Sequence, residues 1–156
     1  MTRVRRRILP SVAVIAALAL GATACSGDTT PSDVASKAAS AVASVGADLN
    51  AAAAEAKKKL DSVKDGVDAK SDVRLGTPSK DADGHASVRV TVSNTVTSKK
   101  SFAVQVDFRD TGGNLLDTLV VTISDVAAGA AGEGTARSNR GLSGEVEAGT
   151  GTALRY

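Results

Sequence analysis

The spacing of apolar residues divides the chain into a helical part and a strand part. Residues 33–66 are rich in alanine, the residue with the strongest helix propensity. Apolar residues recur here at steps of three and four, as on one face of a helix. They are Val34, Ala38, Val42, Val45, Leu49, Ala52, Ala56, Leu60, Val63 and Val67. With Ser32 as N-cap and Asp65-Gly66 as C-terminal stop, we predict one helix over 33–66, weakest at Gly46.

This apolar stripe is narrow and mostly alanine, so its burial contributes less free energy per residue than leucine would. It also lacks the sustained large a and d residues of a coiled coil. We favour a single helix, acting as a spacer or resting against its own domain. A weak homo-oligomer or stalk formed through the helix is the alternative. Lys57-Lys58-Lys59 is expected to be a solvated face offset by Glu55 and Asp61, rather than a patch for lipid headgroups.

From residue 72 onward the apolar period changes to two, which is typical of half-buried antiparallel strands. Residues 87–93 and 102–109 alternate in this way, and 109–114 supplies glycines for a hairpin turn into an apolar strand over 115–123. A loop of small residues is expected over 125–132. The remaining predicted strands are Val73–Leu75, 134–138, 144–148 and 152–156.

These strands predict a mainly β fold: an immunoglobulin-like antiparallel β-sandwich of about seven strands over residues 72–156, preceded by the Ala-rich helix. The sequence has one cysteine and no tryptophan. The Cys–Trp–Cys core signature is therefore missing, which excludes an antibody-type domain.

Short motifs in the strand region resemble the FxLYD-type domain of bacterial surface proteins. Residues 90–94 (Val-Thr-Val-Ser-Asn) match the "v.N" strand of that family. Ser101-Phe102, residues 106–110 and 113–116 match its "f.d..Gnvl" hairpin. Arg109 stands where the family often has tyrosine, and the small-residue loop lacks the usual proline-glycine. The resemblance covers residues 86–132 and implies a small sandwich of unassigned function.

The chain begins with the features of a secretory signal peptide. Four arginines precede an apolar run over residues 8–20, which ends in small residues. The arginines are Arg3, Arg5, Arg6 and Arg7. Residues 8–24 are at the lower length limit for a spanning helix, which disfavours a permanent transmembrane anchor. Ala22-Thr23-Ala24 fits the A-x-A pattern of ordinary signal peptidase, whose cleavage would give a secreted protein.

The segment Ala22-Thr23-Ala24-Cys25 resembles the lipobox of bacterial lipoproteins, although leucine is most usual at the position of Ala22. The resemblance implies that Ala22, Thr23 and Ala24 form the signal-peptide recognition segment. It also implies that Cys25 receives a diacylglycerol with fatty acids such as palmitate and becomes the first mature residue. A lone cysteine in an exported chain has no intramolecular partner, which also favours lipidation.

We therefore expect a lipoprotein signal peptide over 1–24, a polar tether over 25–32, and a protein lipid-anchored at the extracytoplasmic face of the cell membrane. Secretion is the alternative. The chain has 19 basic and 17 acidic residues, a net charge of +2. Four basic and no acidic residues lie in 1–24, so a chain starting at Cys25 carries 15 basic against 17 acidic residues.

A near-neutral mature chain lacks the basic patch that nucleic-acid binding requires, and its three aromatic residues offer few stacking platforms. The segment 81–85 contains a D-x-D-G fragment with too few ligands for a calcium shell, so we expect no metal. His85 is the only histidine, which excludes a multi-histidine metal site or a catalytic triad.

Asp107, Asp110, Asn114 and Asp117 crowd the predicted hairpin. We expect these to be solvated turn residues rather than paired catalytic carboxylates, which need a desolvated setting. The sequence thus predicts no enzyme and no cofactor. It favours a non-catalytic binding or envelope-associated module for another cell-envelope protein, with a structural spacer as the alternative.

Overall fold

The structure is a computed structural model that describes residues 31–156, with side chains from residue 45 onward. The predicted signal peptide, the lipobox with Cys25 and most of the predicted tether lie outside the described residues. The helix and strands are α1 (Pro31–Asp61), β1 (Val67–Asp68), β2 (Val73–Leu75), β3 (Ser79–Lys80), β4 (His85–Ser93), β5 (Lys100–Arg109), β6 (Leu115–Val126), β7 (Ala131–Gly141) and β8 (Glu147–Arg155). A short 3-10 helix, Lys70–Asp72, lies between β1 and β2.

Helix α1 is continuous through Gly46, but its ends differ from those predicted. It begins at Pro31, one residue before the predicted N-cap Ser32, and ends at Asp61, ahead of the predicted stop at Asp65-Gly66. The Ser62 hydroxyl donates to the Lys59 carbonyl (2.6 Å), which supplies a partner for a carbonyl of the last turn and ends the helix early. Within the described part of the chain, no helix has the length and apolarity needed to cross a bilayer.

The strands form two antiparallel sheets, which confirms the mainly β prediction with a preceding helix. In the first sheet the strand order is β1-β8-β5-β6. In the second sheet β4 is central: β2 and β3 pair with successive parts of one edge, and β7 pairs along the other. Strands β5 and β6 form the predicted hairpin. The connections β1 to β2, β4 to β5, β6 to β7 and β7 to β8 all cross between the sheets.

One hydrophobic core lies between the inner faces of the two sheets, as in a β-sandwich. The alternating apolar residues predicted to be inward are those that fill it. They are Val88, Val90, Val92, Phe102, Val104, Val106 and Phe108. Ile123, Ala136 and Ala153, which were not assigned to a face from the sequence, complete the core with them. Both phenylalanines are completely buried. The period-two pattern therefore identified the inner faces of β4 and β5 correctly.

Helix α1 packs on the outer face of the first sheet. Ala56 is 3% exposed and contacts Ala103 of β5 and Val120 of β6, with Leu60 and Val63 half-buried beside them. The sequence left open whether a single helix acts as a spacer or rests against its own domain, and the structure shows the second arrangement for this part of the stripe. Val45, by contrast, is 55% exposed. Strand β5 is consequently covered on both faces.

Several strand boundaries differ from the prediction. The two-residue strands β1 and β3 were not predicted, and the strands predicted at 144–148 and 152–156 are one strand, β8. Strand β7 is twice as long as predicted, so the expected loop over 125–132 shrinks to residues 127–130. The glycines in this stretch misled the prediction because they serve close packing rather than a turn.

Gly132 and Gly134 lie on β7 where the side chains of β6 lean over its backbone. A Cβ added at Gly132 would lie 2.6 Å from Val126 Cγ2 and 2.8 Å from Ile123 Cγ2. At Gly134 it would lie 2.9 Å from Val121 Cγ1. Both glycines are therefore needed so that the edges of the two sheets can approach each other.

Asn94 ties together two loops at one end of the sheets. Its side chain is buried, and Nδ2 donates to the carbonyls of Ser98 (2.8 Å), Val126 (2.9 Å) and Ala127 (3.1 Å). Its Oδ1 accepts the Val96 N–H (3.3 Å). The side chain thus satisfies main-chain groups of both the β4–β5 and the β6–β7 connections.

Replacing Gly132 with alanine should lower the free energy of unfolding by about 1–3 kcal/mol, because the β-branched neighbours cannot rotate out of the way. Gly149→Ala is the matched strand control, since nothing lies within 4 Å of its added Cβ. Urea denaturation of both variants measures the difference. Equal stability of the two variants would contradict the close packing of β6 on β7.

Replacing Asn94 with alanine should lower the free energy of unfolding by about 2–4 kcal/mol, because the buried Val126 carbonyl and the partly buried carbonyls of Ser98 and Ala127 lose their donor. Asn114→Ala removes an amide that bonds only within an exposed turn, so its loss should be under about 1 kcal/mol. Thermal unfolding followed by circular dichroism gives both values. A small loss for Asn94→Ala, similar to that of the control, would disprove the role assigned to this side chain.

Candidate functional site

Two grooves run along the sides of α1 where it crosses the first sheet. The larger one, about 580 Å³, is named here the Asp107 groove. Its polar lining residues are Lys57, Asp61, Gln105, Asp107, Arg109, Thr118 and Thr152. The smaller one, about 340 Å³, is named the Asp117 groove. Its polar lining residues are Asp48, Glu55, Asp117, Asn139 and Arg140.

Asp107 is the acceptor at the centre of a hydrogen-bond network in the first groove. Its Oδ1 accepts from the Thr118 hydroxyl (2.7 Å) and from Gln105 Nε2 (2.9 Å). Its Oδ2 accepts from Arg109 Nη2 (3.1 Å). Asp107 lies opposite Thr118 in the β5–β6 register, on the outer face that α1 partly covers. Both carboxylate oxygens are thus engaged in holding the strands together.

Asp117 is completely buried. It precedes Thr118 on β6, and successive side chains of a strand point to opposite faces, so Asp117 faces away from the side of the sheet that carries Asp107 and Thr118. Its Oδ2 accepts the Asn139 backbone N–H (2.6 Å) and its Oδ1 accepts the Thr118 N–H (2.9 Å). It therefore joins the edge of β6 to β7, where the two sheets meet.

The expectation of solvated turn residues is wrong for Asp107 and Asp117, since both are buried strand residues. The physical reason lies in the tertiary packing, since β6 meets β7 at Asp117 and α1 shields the outer face at Asp107. The two carboxylates lie on opposite faces of the sheet. Asp107 and Asp117 are therefore not placed as a pair of catalytic carboxylates.

Asp110 and Asn114 occupy the tight turn between β5 and β6, as expected. The Asp110 N–H donates to the Asn114 carbonyl (3.0 Å), and the Asn114 N–H donates to Asp110 Oδ1 (2.9 Å). Gly113 supplies the positive φ of 83° that the turn requires. The Asn114 side-chain amide also donates to the carboxylate, which lowers the pKa of Asp110.

The 81–85 segment is a turn between β3 and β4. Asp81 Oδ1 accepts the backbone N–H groups of Asp83 (3.1 Å) and His85 (2.9 Å), while Arg137 donates to Oδ2 (2.6 Å). The Arg137 hydrogen bond is the main cause of a lowered pKa of Asp81. His85 Nδ1 lies 2.9 Å from the Ser138 carbonyl. Across the described residues, no three metal-ligating side chains come together.

The lysine run on α1 is confirmed as a solvated face. Lys57 pairs with Asp61 (2.5 Å) and Lys59 with Glu55 (3.0 Å), each four residues apart, and all four side chains are more than half exposed. Exposed pairs of this kind contribute little to stability.

The two grooves beside α1 therefore contain carboxylates that are already hydrogen-bonded within the fold. The carboxylates of Asp107 and Asp117 serve the fold as hydrogen-bond acceptors, and no buried side-chain nitrogen or oxygen of the described residues lacks a partner. The sequence pattern did not identify these two residues as structural acceptors. The sequence does contain one indication for Asp117. It falls on the same face of the strand as the apolar residues Leu119, Val121 and Ile123, where a polar side chain needs a hydrogen-bond partner.

Comparison with known proteins found no matching family model, no similar curated protein and no similar solved structure. The lipoprotein and FxLYD-type resemblances therefore stay predictions.

Proposed function

We propose that the chain is a lipoprotein anchored through Cys25 at the extracytoplasmic face of the cell membrane. Its β domain acts as a non-catalytic binding or envelope-associated module for another protein. The lipobox-like segment 22–25 supports the anchor. Helix α1 starts at Pro31, and the five residues between it and Cys25 can span at most about 18 Å.

The placement of α1 supports a display role for the domain. The helix has 31 residues and is therefore about 46 Å long. Its apolar contacts with the sheet involve Ala56 and Leu60, near its C-terminal end, and Val63 just after the helix adds to them. If Cys25 is lipidated, the N-terminal turns of α1 lie between the membrane and the β domain. Their length then determines how far the β domain is from the lipid headgroups.

The occupied carboxylates of Asp107 and Asp117 are the observation that carries the non-catalytic proposal. A general base needs an oxygen that is free to take a proton from a substrate. In both grooves these oxygens already accept hydrogen bonds from the fold itself. The surfaces left for a ligand are therefore the outer faces and edges of the sheets.

An immunoglobulin-like topology is part of the proposal. The order β6-β5-β8 corresponds to the C′-C-F part of one immunoglobulin sheet, and β1, which comes first in the chain, lies at the position of strand G. The pairing of β2 and β3, β4 and β7 corresponds to the A-B-E sheet. The crossings between sheets at β4 to β5, β6 to β7 and β7 to β8 take the places of the B–C, C′–E and E–F connections. This order supports the assignment without the Cys–Trp–Cys signature.

The alternative is an oligomeric stalk formed by α1. It is favoured by Val45, a member of the apolar stripe that is 55% exposed in the monomer. Association through this end of the helix would bury it. A monomer whose sedimentation does not change with concentration is incompatible with this alternative.

Cys25→Ala tests the anchor in the full chain expressed in a bacterium that processes lipoproteins. The unaltered chain should enter the detergent phase on Triton X-114 partitioning. Its N-terminal peptide should start at Cys25 and carry the mass of a diacylglycerol. Cys25→Ala should lose both properties, whereas the control Ser26→Ala should keep them. An unacylated N-terminus in the unaltered chain would overturn the lipoprotein assignment.

A further inference from the structure

Strand β8 is fully paired on one side only. Its pairing with β5 extends from Glu147 to Arg155. On its other side, β1 pairs only with Leu154 and Arg155, and the Ala69 N–H donates to the Ala153 carbonyl (2.9 Å). The chain then turns away into the 3-10 helix, where Asp72 pairs with Arg155 (3.1 Å).

Residues 147–152 are named here the open edge of β8. Within the described residues, no strand pairs with them on the side away from β5. Six residues of strand are about 20 Å long, enough to pair with a short extended peptide. Such an edge is a template for another strand unless the protein protects it. Residues 148–152 carry no charge and no proline, two of the usual protective features. The register of β8 against β5 shifts only at Gly151-Thr152, so the pairing of Ala148, Gly149 and Thr150 is regular.

The register shows which backbone groups the open edge presents. Ser101 and Tyr156 exchange both of their backbone hydrogen bonds (3.0 Å each). Because bonding alternates along an antiparallel pair, the odd-numbered residues of β5 direct their N–H and C=O groups toward β8. Asp107 is one of these, and it lies opposite Gly149.

Ala148 and Thr150, on either side of Gly149, therefore direct their N–H and C=O groups away from β5. They lie opposite Phe108 and Val106, whose backbone groups are directed to β6. The open edge thus presents two donors and two acceptors in the spacing of an antiparallel ladder.

The core is also incompletely covered beside this edge. Leu75, Val146 and Ala148 pack against the core but are only partly buried. A groove of about 280 Å³ lies at the start of β8, between Val146 and Glu145 on one side and Pro78 and Lys80 on the other. Apolar side chains from an added strand would cover these residues.

We propose that the open edge of β8 binds an extended segment of a partner protein as an added antiparallel strand, in line with β1. Side chains of that segment opposite Ala148 and Thr150 face inward, where small apolar residues such as valine or alanine fit against Leu75 and Val146. Main-chain hydrogen bonds supply the affinity and the alternate side chains supply the selectivity, as in other cases of strand addition.

Charge complementarity indicates which residues the partner segment carries at its outward-facing positions. Glu145 and Glu147 are exposed, and neither forms an ion pair with another described residue. The outward-facing residues of the segment are therefore lysine or arginine. The proposal rests on the binding role proposed above, and it specifies the surface and the partner chemistry.

The test uses the full chain labelled with ¹⁵N and a short capped peptide in which valine alternates with lysine and threonine. Two N-methylated versions of this peptide form a matched pair. One is methylated on the valine amides, which face β8 in the added strand, and the other on the lysine and threonine amides, which face solvent. The second should bind like the parent, and the first should not bind.

On binding the parent peptide, the amide signals of Ala148 and Thr150 should shift and their hydrogen exchange should slow. Thr150→Pro removes one outward N–H, in a position where edge strands accept proline, and should weaken binding about tenfold. Glu147→Lys is a second variant that leaves the backbone donors intact. It should weaken binding and reverse its salt dependence.

Equal binding of the two methylated peptides would overturn the proposal, and so would shifts confined to the grooves beside α1. Protection of Ala148 and Thr150 that rises with protein concentration before peptide is added would also overturn it, because a second copy would then fill the edge. None of these outcomes depends on the lipid at Cys25. Failure here and failure of the anchoring proposal are therefore distinguishable.

Discussion

The contact of Ala56 with Ala103 and Val120 is the interaction that holds α1 on the β domain, and the covering of the outer face of the first sheet depends on it. An alanine at each side lets the helix backbone approach the sheet closely, and Leu60 and Val63 extend the contact toward the C-terminal end of α1. Burying these few side chains stabilises the docked helix by a few kcal/mol at most, on the order of one or two fully buried aliphatic side chains. That modest contact nevertheless fixes the direction in which the chain leaves the β domain toward its N-terminus.

The docked helix also explains the polar chemistry of the outer face. Because α1 shields β5, the side chains of Gln105, Asp107 and Thr118 satisfy one another rather than water. Asp117 and Asn94 likewise form hydrogen bonds within the fold. Asp117 accepts the backbone N–H of Asn139, and Asn94 donates to the backbone carbonyl of Val126. These polar groups hold the fold together, whereas residues 147–152 of β8 have no strand partner on one side among the described residues.

Periodicity accounts for what the sequence predicted correctly. The helix, β4, β5 and the hairpin to β6 all carry long and regular patterns, and the structure contains each of them. Strands β1 and β3 have two residues each, too few to show any period. In the sequence, the glycines of β7 resemble loop residues. Gly132 leaves room for the side chains of Val126 and Ile123, which belong to β6 in the other sheet, and the sequence does not show that β6 and β7 meet. The burial of Asp107 could not be predicted for a related reason, since it requires knowing where α1 docks.

The most direct measurement of the docked helix is amide hydrogen exchange of α1 in Ala56→Lys and in Ala54→Lys. Ala56 is buried against the sheet and Ala54 is exposed, two positions away on the same helix. An isolated helix of this length is only marginally stable in water, so its protection depends on docking. Ala56→Lys should reduce the protection of residues 52–61 by about ten- to a hundredfold while β4 and β5 stay protected, and Ala54→Lys should change it little. Equal protection of α1 in the two variants would contradict the account.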